Sequence, residues 1–309
     1  MGIRRVLAEG IAAVQLCAAL AMAAQGVAAA ETAPGGCGTW TKSTVASGYG
    51  LLENLAFDGR GSLLLSETSL TGTGGGVQRL GADGKHSAAA QVDSPGGIVV
   101  SGNTAYINTG NSTKAGLTDS TDGTVVALDL TTGALSTVAT GLRMPNGLAL
   151  LPDGGFVVSK DLGATTTLTA VAPDRTTRVL APGLTSTNGL AYDPVRRKLF
   201  VSTTFDMNTT IAAVSIDHPN ADPVRYTLPG FGPLNSADDL TVGPDGAVYV
   251  ALNLAGRIVR LDPDTSATCT IADNLPLSSS VRFGSGPGWD PKSAYVTSFL
   301  GTVTRLTPQ

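Results

Sequence analysis

Histidine is nearly missing from this chain: among 309 residues only His86 and His218 occur. Both sit in stretches that read as outer-strand turns. A Ser-His-Asp triad therefore lacks a well-placed base, and no G-x-S-x-G nucleophile elbow is present. With no H-E-x-x-H and no closely spaced cysteine pair, a zinc centre is not expected either. Cysteine is scarce, with only Cys17, Cys37 and Cys269. Cationic residues are not in excess: 20 Lys and Arg stand against 24 Asp and Glu, for a formal charge of −4, and no basic run occurs. Phosphate neutralisation needs clustered Lys and Arg, so nucleic acid is not an expected partner. The Gly-rich stretch 71–80 (TGTGGGVQRL) leads into a strand-like run rather than a helix, which argues against a phosphate loop.

Long apolar runs are also lacking, apart from one at the start. Arg4 and Arg5 precede an Ala-rich apolar stretch from about Ile11 to Val27, then the small residues Ala28, Ala29 and Ala30, then polar Glu31. This order predicts a secretory signal peptide over 1–30, cleaved near Ala30, and a secreted or extracytoplasmic mature protein. The alternative, an uncleaved membrane anchor, lacks a basic stop-transfer cluster. No later segment approaches the roughly 20 apolar residues that span a bilayer. Cys17 falls in the removed segment. Cys37 and Cys269 then suggest one disulfide in an exported chain, with two buried free thiols as the alternative.

What is present is a repeat. Apolar runs led by a fixed register recur as ENLAF at Glu53, GGIVV at Gly96, NGLAL at Asn146, NGLAY at Asn188, DDLTV at Asp238 and SSVRF at Ser279, at intervals of 41 to 50 residues. That period fits four-stranded propeller blades. Tight-turn signals follow the runs, as in Pro152-Asp153-Gly154 and Pro244-Asp245-Gly246. Helical periodicity is absent beyond the leader. The expectation is an all-β chain: one six-bladed β-propeller of four-stranded blades over 31–309. The last repeat is one strand short at Gln309, and a surplus strand lies in CGTWTKSTVA, Cys37 to Ala46. We expect that N-terminal strand to close the ring, which removes an exposed edge and brings Cys37 toward Cys269.

In a propeller the first strand of each blade lines the central channel. Glu53, Asn146, Asn188 and Asp238 share one register, so they converge there. Two carboxylates and two amides form an all-oxygen donor set that suits calcium, and magnesium less well. Taken singly, each is an ordinary turn residue; the case rests on their shared register.

The order Glu, Asn, Asn, Asp across these blades resembles the senescence marker protein, gluconolactonase and luciferin-regenerating enzyme family. Diisopropylfluorophosphatase and, more distantly, the paraoxonases are similar in architecture. The resemblance runs from about Cys37 to the end. It implies a channel calcium held by Glu53, Asn146, Asn188 and Asp238, with Asp238 also acting as base or nucleophile. The chain departs from the family pattern at Asp239, where a Gly is usual, and at Gly96, where a polar group is often found. The histidine pair of paraoxonase-type catalysis is missing.

These readings predict a calcium-dependent hydrolase of ester-like bonds, most simply a lactonase, with the ion as Lewis acid. The partner is a small-molecule substrate, without nucleic acid or, after leader cleavage, membrane, and the protein is a monomer. Candidate substrate-binding residues are Asn108, Lys160, Asp206, Asn208, Asn253 and Arg282, with Glu67 and Asp161 also at the ends of second strands. The alternatives are a non-catalytic extracytoplasmic binding module with a structural calcium, or a biosynthetic enzyme resembling the strictosidine synthases.

Overall fold

A computed structural model describes residues 37–163, 166–219 and 221–309. The leader expected over 1–30 lies outside the described residues. The chain forms six antiparallel sheets of four strands each, arranged as a six-bladed β-propeller. The inner strands are Leu51–Phe57, Ile98–Ser101, Leu148–Leu150, Thr187–Asp193, Ala237–Val242 and Ser278–Phe283. Each contacts the next around the ring, and the sixth contacts the first. Among the described residues two short helices, Thr113–Thr118 and Gly232–Asn235, interrupt the β structure.

The turns follow from local chemistry. In 151–155, Gly154 adopts φ 84°, the Leu151 amide donates to Gly155 O at 2.8 Å, and Asp153 Oδ1 accepts from the Gly155 amide at 2.9 Å. The Gly243–Ala247 turn repeats the pattern, with Gly246 at φ 76°. A left-handed backbone costs other residues roughly 1–2 kcal/mol, so glycine ends these strands sharply.

Successive apolar residues on the strands point to opposite faces, as Leu63 and Leu65 do against Leu64, so both faces of each blade are buried between its neighbours. The core is accordingly divided into six seams. Leu65, Leu80, Val303 and Tyr295 join blades six and one; Leu64, Val77, Ile107 and Leu128 join one and two. Val125, Leu148 and Phe156 join two and three, and Val157, Leu168, Leu199 and Val214 join three and four. Phe200, Ile211, Val250 and Leu261 join four and five; Tyr249, Ile258, Val281 and Val296 join five and six.

Closure occurs as the strand count predicts. Trp40–Ala46 is the outermost strand of blade six, antiparallel to Thr302–Pro308, with Trp40 opposite Pro308 and Thr44 opposite Thr304. Cys37 and Cys269 form a disulfide with a Cα–Cα distance of 5.9 Å. It links the closing strand to the outer strand of blade five, beside Trp40, whose Nε1 donates to Cys37 O at 2.9 Å.

Candidate functional site

All inner strands run in the same sense along the channel, because each enters from an outer strand and leaves by a tight turn. The leading residues Glu53, Asn146, Asn188 and Asp238 therefore gather at one mouth, and all four are buried. The second strand of each blade returns to the same mouth. Its terminal residues join the ring: Asn111 donates from Nδ2 to Glu53 Oε1 at 3.3 Å, and Asn253 from Nδ2 to Asp238 Oδ2 at 3.1 Å. Asn188 donates from Nδ2 to Thr204 Oγ1 at 2.9 Å, while its buried Oδ1 has no partner.

The electrostatics are those of crowded acids. Burial, then the charges of Asp161 and Asp239, raises Glu53 to about 8, against the pull of the Asn111 hydrogen bond. Burial, then Glu53, Asp239 and Asp161, raises Asp238 well above the usual carboxylate range. Burial raises Asp161 to about 6, held back by a hydrogen bond from Asn146. Four carboxylates thus influence one another in a closed space, with the unpaired amide oxygen of Asn188 beside them. A hard cation bound by these oxygens would satisfy both features. Among the described residues, no three acidic, His or Cys side chains make such a cluster by themselves; the donor set depends on the amides.

Blade two contributes through a different residue from its register position. A Cβ on Gly96 would meet Asn146 O at 2.7 Å and Asn111 Cβ at 3.2 Å. Gly96 is small because the backbone carbonyls of Asn146 and Pro145 crowd that space, with Asn111, from the loop after the second strand, behind them. Repeat counting does not find Asn111, since it lies beyond the strand that carries the register.

One residue deeper, a second tier explains the Gly that follows each Asn. A Cβ on Gly147 would lie 2.3 Å from Asn188 O, and one on Gly189 would lie 2.5 Å from Asp239 Cα. Neighbouring inner strands touch backbone to backbone there. Asp239 can replace the glycine in blade five because it faces the small Ser280. Its Oδ2 accepts from Asn54 Nδ2 at 2.7 Å and from Ser280 Oγ, and pairs with Arg282 Nη1 at 2.7 Å.

The other expected site residues fall in distinct places. Asn108 is fully buried and donates from Nδ2 to Asn146 O and Gly147 O, both at 2.9 Å; it holds the start of blade three. Lys160 is buried, and its ammonium pairs with Asp119, which also takes Arg143. Glu67 accepts from the Gly50 amide at 2.7 Å and from Gln78 Nε2 at 2.8 Å. Asp206 accepts from Thr185 Oγ1 at 2.9 Å, and Asn208 is exposed at the start of the third strand of blade four, opposite Phe231. Arg282 lies elsewhere. It is three residues past Ser279, about 10 Å along a strand, and it lines a cavity of about 340 Å³ with Phe57, Val100, Val242 and Phe283. These belong to the far halves of the inner strands, so that cavity is the opposite mouth of the channel.

Beside the first mouth lies an apolar ledge. Phe205 and Met207 follow Thr204, the partner of Asn188; Phe231 and Leu234 precede Ser236 and Asp238. All four are exposed, Met207 to 69% and Leu234 to 64%. The Gly232 amide donates to Met207 O at 3.0 Å, which holds the two segments together.

Residues 157–299, from the second strand of blade three to blade six, match the family model described as the SMP-30/gluconolactonase/LRE-like region. Over these residues the chain is similar to that family. The matched segment contains Asp161, Asn188, Asp238 and Asn253. Solved structures agree in fold. A gluconolactonase from Xanthomonas campestris is 16% identical, with TM-score 0.66, covering 87% of this chain and 90% of that one. Regucalcin from Agrobacterium tumefaciens, described as a calcium-binding protein, is 14% identical, with TM-score 0.67, covering 87% and 94%. A luciferin-regenerating enzyme is 15% identical, with TM-score 0.63, covering 87% and 95%. Among curated proteins, none matches the chain in sequence.

Proposed function

We propose that this protein is an exported, calcium-dependent hydrolase of ester-like bonds, a lactonase acting on a neutral lactone. The observation that carries the reading is the gathering of Glu53, Asn146, Asn188 and Asp238 at one channel mouth, with the Asn188 oxygen unpartnered. Similarity of the matched region to a gluconolactonase-like family supports it.

Glu53, Asn146, Asn188 and Asp238 would hold the calcium ion. When bound, it supplies a Lewis acid that polarises a carbonyl oxygen. The remaining chemistry belongs to the chain. Asp238 accepts the proton of the attacking water. Asn253 orients that carboxylate through Oδ2. The ledge of Phe205, Met207, Phe231 and Leu234 favours a lactone that carries an apolar arm over a fully hydroxylated one.

The test is turnover of a lactone and phosphotriester panel, alkyl-substituted and sugar-derived, with and without chelator. Chelator-sensitive lactone hydrolysis is expected. Tight calcium binding without turnover of any panel member would instead make the propeller a binding module.

A further inference from the structure

The far mouth of the channel carries a guanidinium with one committed nitrogen. Arg282 Nη1 lies 2.7 Å from Asp239 Oδ2, and it donates to Leu240 O at 3.0 Å and to Val281 O at 2.8 Å. Those contacts fix the head group on rigid inner strands. Nε and Nη2 donate to no protein group among the described residues, and neither is sealed in the interior. Together they form the edge of the fork that meets a carboxylate through two parallel hydrogen bonds. The edge belongs to a side chain that lines the cavity of about 340 Å³. Around it stand Phe57, Val100, Val242 and Phe283, all half-buried, with the hydroxyls of Thr241 and Ser285. The rings are braced from behind: Phe57 packs edge-on against Trp289 and Tyr295, each at 5.3 Å, and Phe283 against Tyr249 at 4.8 Å. Among the described residues the lining includes no carboxylate. The nearby Asp239 sits on the ring side of the guanidinium and is shared with Asn54 and Ser280.

A positive fork with a free edge, set in an apolar cup of ligand size, selects an anion attached to an apolar body. We propose that this mouth is a second small-molecule site, which takes an organic carboxylate with an apolar tail. The carboxylate lies on Nε and Nη2 of Arg282, and the tail lies against Phe57, Val100, Val242 and Phe283. A free inorganic anion would leave those apolar walls in water. A neutral apolar molecule would strip water from the guanidinium edge without replacing its hydrogen bonds. The site is separate from the acidic mouth and independent of the calcium reading.

Calorimetric titration with 4-phenylbutyrate at neutral pH tests the assignment, with the neutral 4-phenylbutyramide and inorganic phosphate as comparison probes. Chelator is present throughout, so that no metal can take the carboxylate at the other mouth. Wild type is expected to bind one phenylbutyrate with a Kd of about 1 mM or lower, and the amide and phosphate at least about tenfold more weakly. R282K keeps a cation beside Asp239 but loses the fork, and is expected to weaken phenylbutyrate binding about tenfold. V100E places a like charge in the wall and leaves Arg282 in place. It is expected to weaken binding about tenfold, and V100Q much less. The V100E and V100Q pair decides the matter if R282K fails to fold. Three results each overturn the proposal: no binding by wild type, amide or phosphate binding within about threefold of the acid, or V100E binding as tightly as V100Q.

Discussion

Glu53 sets the behaviour of the site at the level of single side chains. Its unfolded value lies near 4.5 and its folded value near 8. The fold thus favours the protonated form. The resulting stabilisation is complete below about pH 4.5 and is lost as pH rises through about 8. Asp161 adds the same sign over a lower window, up to about 6. In chelator, the melting temperature is expected to fall between about pH 5 and about pH 8.5, and saturating calcium should remove that slope. Scanning calorimetry across the range checks this, and a flat chelated profile would contradict it. Replacing Asp238 by Asn should lower lactone turnover by about 10²–10⁴; unchanged turnover with calcium still bound would remove Asp238 from the chemistry. The ring positions were legible in the sequence because one period carries all of them. Asn111 was not, because it belongs to the loop after a second strand, whose length varies from blade to blade. Arg282 shows the converse: it lies on a register strand, yet three residues of rise carry it to the other mouth.

At the level of strands, the glycines after Asn146 and Asn188 have one cause, the close approach of adjacent inner strands. Gly147→Ala and Gly189→Ala are each expected to cost about 1–3 kcal/mol, since the added methyl meets backbone that cannot move aside. Gly183→Ala provides the contrast. It has ordinary φ and no atom within 4 Å of an added Cβ, so it should be neutral or gain up to about 1 kcal/mol. Urea denaturation of the three variants separates these outcomes. Strand periodicity and Asp-Gly turns exposed the blades in the sequence. The identity of Asp239 remained opaque there, because its explanation is the small Ser280 of the neighbouring blade and the Arg282 guanidinium beneath.

For the whole molecule, stability is distributed over six seams, and no seam forms from one blade alone. The disulfide acts across 232 positions, a loop for which removal costs about 2–5 kcal/mol. Cys269→Ser, or reduction, should lower the guanidinium midpoint accordingly while leaving calcium affinity unchanged, since the bridge lies on the outer strands. A midpoint that does not move would show that strand pairing and the Trp40 seam suffice. The pairing of Trp40–Ala46 with Thr302–Pro308 was readable as a missing strand at one end and a spare at the other.

That pairing also fixes an order of events during synthesis. The strand that leaves the ribosome first finds its partner last, after nearly the entire chain has emerged. Until then both flanks of the nascent arc present unmated edges, so sealing the circle is the slow, non-local step and the interval most open to misassembly.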